Sequence, residues 1–361
     1  MTKKKKIVFV LPSLVSGGAE RVMSFVAKNI SKDHFDASLW VAGYEKKTNY
    51  DVSGLKVVYF NKPRVLKAIP SFYSHLNKTK PDIVISSISH LNTAMGLLSI
   101  FYPKTKFIGR EANVQSVRSQ YQDGKKNRAF NIIPFKKMGY NFLDLILCQS
   151  KDMYKDMNTN YSIPKKKLRV INNPITDDFK LKHQDLAKDN VPQFITVARL
   201  KKQKGHERII KALSQLSIPY KYTIIGDGPE YDNLFGLISK LGLKDYIEHI
   251  PHTNEVSKYL SKSDFFLQGS YVEGFPNCLI ESCSVGTPII AYKAPGGLNE
   301  IIDEGVNGLV ADNDEEFIDN ILEATSKINW SAKKVSESVF KKFNKEKILS
   351  EYEQLFMDIL K

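Results

Sequence analysis

Cysteine is scarce in this chain, with three in 361 residues. Cys148, Cys278 and Cys283 have no metal-type spacing and form no disulfide framework. Cys278 and Cys283 fall within one helical pattern, where packing is their expected role. Nothing then demands an oxidising compartment, and the cytoplasm is the expected location. Long apolar runs are missing too, since none approaches the roughly 18 residues that cross a bilayer. Lys3–Lys6 followed by Ile7–Leu11 mimics a secretory signal, but five apolar residues ending at Pro12 make too short a central region. The segment reads instead as a basic lead into a buried first strand. Zinc-finger, RNA-recognition and heptad-linked basic patterns are absent, which ranks nucleic acid last among partners.

What is present points to a globular α/β protein. Apolar residues make up 42% and charged residues 25%, a composition neither disordered nor membrane-spanning. The length exceeds what one core serves, so two domains are expected. We place them at 1–176 and 177–345, with a terminal amphipathic helix, 346–361, packing back across the junction. Charge divides unevenly between them. Residues 1–176 hold 30 Lys and Arg against 11 Asp and Glu, and the remainder holds 23 against 28. A basic front half suits an anionic membrane surface or an anionic substrate.

Short apolar runs recur along the first half: Ile7–Leu11, Ala37–Val41, Val57–Phe60, Ile83–Ser86, Phe107–Gly109, Leu145–Cys148 and Leu168–Ile171. Helical patterns lie between several of them, so a parallel α/β sheet is the economical reading. A second series follows at Gln193–Arg199, Tyr222–Gly226, Tyr246–Ile250, Phe265–Gln268, Pro288–Ala291 and Gly308–Ala311. Asn172–Val191, with Asn-Asn-Pro and little apolar periodicity, reads as the interdomain connection. Asp312-Asn313-Asp314 has the form of a metal-binding pair, but it precedes a helical pattern and capping explains it more cheaply. No catalytic metal and no cofactor are expected.

Ligands bind at the C-terminal ends of strands in such sheets, and the candidates lie there. Gly17-Gly18 after the first strand allows either a tight turn or the approach of backbone amides to a phosphate, and Arg21 in the following helix favours an anion nearby. His90 after the fourth strand is either a partly buried loop histidine or a polar contact. Glu111 after the fifth is either an ion-paired structural acid or a catalytic one. Lys125, Lys126, Arg128, Lys136 and Lys137 surround Phe130, Ile132, Ile133, Phe135 and Met138, a mixture suited to the headgroup region of an anionic leaflet or to a basic face over a packed segment. In the second half Arg199 at a strand end and Lys204 before a helix are either solvated surface cations or a pair that converges on a diphosphate, Arg as a bidentate fork and Lys as a point charge. Their place at a strand end favours the second. Glu273 and Glu281 stand either side of a helix start, with Pro276 in its first turn and Gly286 at its end. The amides of Gly274, Phe275 and Asn277 lie between the two acids, able to hold an anion while the acids accept from hydroxyls.

Arg199 with Lys204-Gly205, Glu273 and Glu281 within EGFPNCLIES, the GTPII and PGGLNEII runs, Asn307-Gly308-Leu309-Val310 and the N-terminal SGGAER together resemble the retaining glycosyltransferases of family 4. The resemblance covers essentially the whole chain. It implies a GT-B architecture, two Rossmann-like domains with parallel sheets facing across a cleft, the first taking the acceptor and the second the nucleotide sugar. It also implies roles. Glu281 binds ribose hydroxyls, Glu273 the donor sugar, and the segment Gly274, Phe275, Pro276, Asn277 and Leu279 lies against sugar and phosphate. Arg199 and Lys204 neutralise the leaving diphosphate, Gly17 and Gly18 close on it, and backbone near Ile250 pairs with the base. Many relatives carry a histidine where this chain reads GREAN, so Glu111 and His90 stand as its substitutes. The function implied is retaining, metal-independent transfer from a nucleotide sugar, with UDP-sugar as expected donor, to a lipid-linked or polysaccharide acceptor. It is expected at the inner face of the cell membrane in surface glycan biosynthesis. The alternatives are a UDP-sugar epimerase of the same fold and a non-catalytic nucleotide-sugar-binding protein.

Overall fold

The structure is a computed structural model, and it describes residues 3–15, 17–48, 50–121, 132–182 and 191–361, with only the backbone of 132–136. In chain order the first elements are β1 Lys5–Leu11, α1 Gly18–Asn29, β2 Phe35–Val41, β3 Lys56–Tyr59, α2 Val65–Thr79, β4 Ile83–Ser87 and α3 Ser89–Ser99. They are followed by β5 Lys106–Arg110, α4 Gln115–Arg118, α5 Ile132–Phe142, β6 Leu145–Cys148, α6 Lys151–Thr159 and β7 Leu168–Val170. Then come β8 Gln193–Val197, α7 His206–Leu213, β9 Lys221–Ile225, α8 Tyr231–Lys240, β10 Ile247–Ile250, α9 Val256–Lys262 and β11 Phe265–Gln268. The chain closes with α10 Asn277–Ser284, β12 Ile289–Tyr292, α11 Leu298–Ile301, β13 Gly308–Ala311, α12 Asp314–Ser326, α13 Ala332–Phe343 and α14 Lys345–Ile359.

Every apolar run read from the sequence is a strand, because strands covered on both faces of a parallel sheet are apolar throughout rather than alternating. Ile7 to Leu11 are exposed by 1% or less. The first sheet has seven strands in the order β3-β2-β1-β4-β5-β6-β7, the second six in the order β10-β9-β8-β11-β12-β13. All pairings are parallel. In each sheet the first strand sits where the order reverses, β1 between β2 and β4, β8 between β9 and β11. That reversal leaves a crevice at the strand's C-terminal end. Gly17-Gly18 follow one such end and Arg199 to Gly205 the other.

The chain forms two compact units: the described residues of Met1–Asn113, Gly124–Pro174 and Lys345–Lys361, and those of Val114–Asp123 and Ile175–Asn344. The segment from Val114 thus clusters with the second unit, where Val114 N–H donates to the Glu273 carbonyl at 3.3 Å. The terminal helix α14 completes the core of the first unit. Ile348, Tyr352 and Phe356 are buried with Phe9 and Phe35, and the Phe356 ring meets Phe9 and Phe35 edge-on with centroids 6.2 and 6.0 Å away. At α12 the capping reading of Asn313 holds, its side chain accepting from the Glu316 N–H at 2.9 Å. Of the cationic and apolar segment 125–138, residues 125–136 lie outside those whose side chains are described, and Lys137 and Met138 are exposed on α5.

Phe356 is fully buried, so Phe356→Ala opens a cavity in the first unit and costs about 3–5 kcal/mol. Urea unfolding should show the transition of that unit at lower denaturant while the second unit's transition stays in place.

Candidate active site

Two loops of the second unit build the site, and backbone contacts zip them together. The loop after β8 carries Arg199 to Gly205 into α7; the loop after β11 carries Gly269 to Pro276 into α10. Gln203 accepts on its carbonyl from the Tyr271 N–H at 2.9 Å and donates from Nε2 to the Val272 carbonyl at 2.8 Å. Arg208 donates to the carbonyls of Gly269 and Ser270 at 2.7 and 2.6 Å, with its guanidinium over the rings of Tyr271 and Tyr292. Gly205 has φ +60, and a Cβ there would sit 1.8 Å from the Gly269 carbonyl oxygen. Only glycine permits that approach.

Glu273 hangs from this zipper. Its side chain is 8% exposed and accepts from Lys204 Nζ at 2.5 Å, Ser270 Oγ at 2.6 Å and Gln268 Nε2 at 3.3 Å. Its backbone is pinned as well, with N–H to the Pro295 carbonyl at 2.9 Å. Gly296, at φ +121, leaves room for no Cβ, which would lie 2.3 Å from the Glu273 carbonyl oxygen. Lys204 feels opposing influences. Burial pulls its pKa down, the Glu273 charge and hydrogen bond push it up with the help of Cys278, Arg199 lowers it, and the outcome is a raised value. Arg199 itself is exposed.

Behind this group α10 starts at Asn277 with Pro276 as its N-cap, so the proline precedes the first turn instead of standing in it. Gly286 at φ +88 ends the helix, with the Gly286 and Thr287 N–H groups bonded back to the Cys283 and Ser282 carbonyls at 2.8 and 3.0 Å, a Schellman closure. Glu281 on its second turn is 5% exposed. Gly274, Phe275 and Pro276 are buried, and Asn277 half-buried at the helix start. Leu279 is a core side chain, and its N–H goes to the Pro276 carbonyl at 3.1 Å. Ile250 ends β10, and its carbonyl accepts from the Gly226 N–H at 2.9 Å.

The candidates of the first unit are more committed to structure. Gly17 caps α1 in an extended conformation, and its N–H and carbonyl are bonded to the Tyr50 hydroxyl at 2.5 and 2.8 Å; Gly18 is the first, exposed residue of that helix. His90 lies exposed on the first turn of α3, and partial desolvation lowers its pKa. The turn before it is strained, Ile88 standing at φ +82, a cost for a β-branched residue. Glu111 is fully buried and accepts from the Tyr140 hydroxyl and, at 3.3 Å, from Asn92 Nδ2. Asn92 also bonds Ser86 and the Arg110 carbonyl at 2.8 and 2.9 Å, and Arg110 reaches Asn173 at 2.6 Å. These hydrogen bonds favour the structural reading of Glu111. Sequence reasoning missed Tyr50, His206 and Arg208; the last two had only their nearness to Lys204 as a signal, and Tyr50, which meets Gly17 across the fold, had none.

His206, 1% exposed, faces the Arg199 carbonyl at 3.2 Å through Nε2, and burial lowers its pKa from 6.5 to about 4. Because the folded value lies below the unfolded one, the unfolded chain takes up the proton first as pH falls from 6.5 towards 4. Stability should therefore drop across that window by up to about 3 kcal/mol, and His206→Gln should flatten the slope when melting is followed against pH. Glu111→Gln puts an amide against the Asn92 donor and should cost about 1–3 kcal/mol, lowering the melting temperature while leaving the turnover of folded enzyme unchanged. A loss of turnover at full stability would restore the catalytic reading.

The chain resembles known proteins in both sequence and fold. Residues 16–179 match the family model described as Glycosyltransferase Family 4, and residues 177–337 that of Glycosyl transferases group 1. A Campylobacter jejuni N-acetylgalactosamine-N,N'-diacetylbacillosaminyl-diphospho-undecaprenol 4-alpha-N-acetylgalactosaminyltransferase is 28% identical, covering 86% of this chain and 87% of its own. A lipopolysaccharide core biosynthesis glycosyltransferase of Rhizobium meliloti is 28% identical over 53% of this chain and 58% of its own. Among solved structures, Anabaena HepE in complex with UDP superposes with a TM-score of 0.81 at 18% identity, covering 98% of this chain and 100% of that one. The lipopolysaccharide outer core galactosyltransferase WaaB superposes with a TM-score of 0.79 at 18% identity, covering 98% and 99%. The chain is a glycosyltransferase of GT-B fold, built from a Family 4 domain followed by a group 1 domain.

Proposed function

We propose that this enzyme moves a sugar from a UDP-sugar to a lipid-linked acceptor in surface glycan assembly, with retention at the anomeric carbon and without a metal ion. The observation that carries the reading is the Lys204–Glu273 pair, 2.5 Å apart and fixed on two zipped loops beside Arg199 and the start of α10. A diphosphate would take the lysine and Arg199 while Glu273 turns to accept from sugar hydroxyls. As the glycosidic bond breaks, negative charge grows on the leaving oxygen, and cations held in place stabilise it without reorganisation. Glu281 would hold ribose hydroxyls. We assign no nucleophile and favour front-side attack, the acceptor being taken by the first unit.

The donor rests on the HepE complexes with UDP and UDP-glucose, the acceptor on the C. jejuni relative named for a diphospho-undecaprenol-linked substrate. Action at the inner face of the cell membrane follows from such an acceptor and from the basic front half.

The test is UDP release from a panel of UDP-sugars, with and without chelator, in the presence of undecaprenyl-diphosphate saccharides, with the anomeric configuration of the product read by NMR. Sugar interconversion without acceptor would replace this reading with an epimerase, and tight binding without turnover with a sensor. Lys204→Ala should lower kcat by about 10²–10³-fold with the fold intact, and Glu281→Ala should weaken donor binding by about 1.5–3 kcal/mol.

A further inference from the structure

The strands of the first sheet are all parallel, so their starts share one edge, opposite to the edge that holds Gly17 and Glu111. Six of the seven strands are entered through an exposed lysine. Read across the sheet order from β3 to β7, these are Lys56, Lys32, Lys4, Lys80, Lys104 and, at β7, Lys166. With strands about 4.8 Å apart, they form a row roughly 30 Å long. β6, the one strand not entered this way, is entered from Phe142.

Charge and shape both favour an anionic surface. Beside β1 to β3 the edge opens into a cavity of about 470 Å³ lined by Lys3, Lys6 and Lys28 over Ile30, Phe35 and Leu55. Part of this charge is spent locally, Lys56 of the row pairing with Asp36 at 2.9 Å and Lys28 with Asp51 at 2.5 Å, while Asp144 is engaged by Lys106 at 3.5 Å and Asp82 by the Lys6 N–H at 2.7 Å. Beside β4 to β6 the edge carries an apolar apex instead. Phe101 is 65% exposed, Ile100 52%, and Tyr73 and Phe142 45% each. Tyr73 meets Phe101 edge-on at 6.2 Å, Ser99 Oγ ties α3 to the Phe142 carbonyl at 3.1 Å, and Lys167 Nζ bonds the Asn141 and Leu143 carbonyls at 2.6 and 2.8 Å. Phe101 and Phe142 therefore stand at helix ends tied by hydrogen bonds, with Tyr73 of α2 packed against Phe101.

We infer that this edge docks on an anionic phospholipid surface, the lysine row pairing with lipid phosphates and Ile100, Phe101 and Phe142 entering the headgroup layer. A soluble polyanion would use the lysines but gain nothing from the exposed apolar apex. A lipid interface uses both. The inference rests on the membrane part of the proposed function, and names the face of the first unit that carries it.

Full-length protein is sedimented with phosphatidylcholine vesicles with and without phosphatidylglycerol, at low and high salt. Binding should require the anionic lipid and weaken with salt as charges are screened. Lys32→Glu with Lys80→Glu and Lys104→Glu should lower partitioning by about tenfold or more. Phe101→Ser should lower it severalfold with the salt dependence unchanged. UDP-induced thermal shift on every variant reports folding and the donor site separately, and if the triple variant melts early the three single variants carry the comparison. Failure of the wild-type chain to bind any anionic vesicle overturns both the membrane reading and this docking face, leaving transfer untouched. Vesicle binding that the triple variant retains, or that Phe101→Ser leaves unchanged, overturns the docking face alone.

Discussion

The contact between Lys204 and Glu273 is the constraint on which the second unit's site depends. It joins the loops after β8 and β11, the first two C-terminal strand ends at the reversal of the sheet order. The Glu273 charge and hydrogen bond hold the enclosed Lys204 ammonium in its charged form against the pull of burial. Neither would be kept in place by its own short loop. The loops are fixed by backbone and guanidinium bonds from Gln203 and Arg208, by the Gly205 approach and by the Gly296 turn against Glu273. Preorganisation of this kind lets fixed charge stabilise a developing one at no cost at the moment of reaction.

The first unit spends its buried polar groups differently. Glu111, Asn92, Tyr140 and Arg110 close a network at the strand ends, where a family relative's histidine is expected. The Tyr140 and Asn92 donors give the buried carboxylate the partners it requires, while Arg110 Nε is buried without one among the described residues. His90 remains the exposed polar group of that region, beside a strained turn at Ile88.

Most of the architecture was legible because doubly covered parallel strands leave continuous apolar runs, and Ile7–Leu11 or Ile289–Tyr292 cannot be mistaken for alternating surface strands. The Glu273 and Glu281 spacing was legible for a related reason, since a loop acid followed by a helix acid is a local pattern. Arg208 and His206 were not. Their work is done on the carbonyls of Gly269, Ser270 and Arg199, groups with no side-chain signature whose neighbours exist only once β8 and β11 lie side by side. Tyr50 on Gly17 is the same case. Pro276 misled by one position because proline suits both the N-cap and the first turn, and only the dihedral angles separate them.

The central claim is that Glu273 restrains Lys204 until a donor arrives and then serves the sugar. Calorimetric titration of UDP and of the UDP-sugar into wild type and Glu273→Gln tests it most directly. The account predicts that the substitution tightens UDP, because the lysine and Arg199 no longer share their charge with a carboxylate, and weakens the UDP-sugar, because its hydroxyl partner is gone. UDP and UDP-sugar affinities that move together, or UDP binding that weakens, would contradict it.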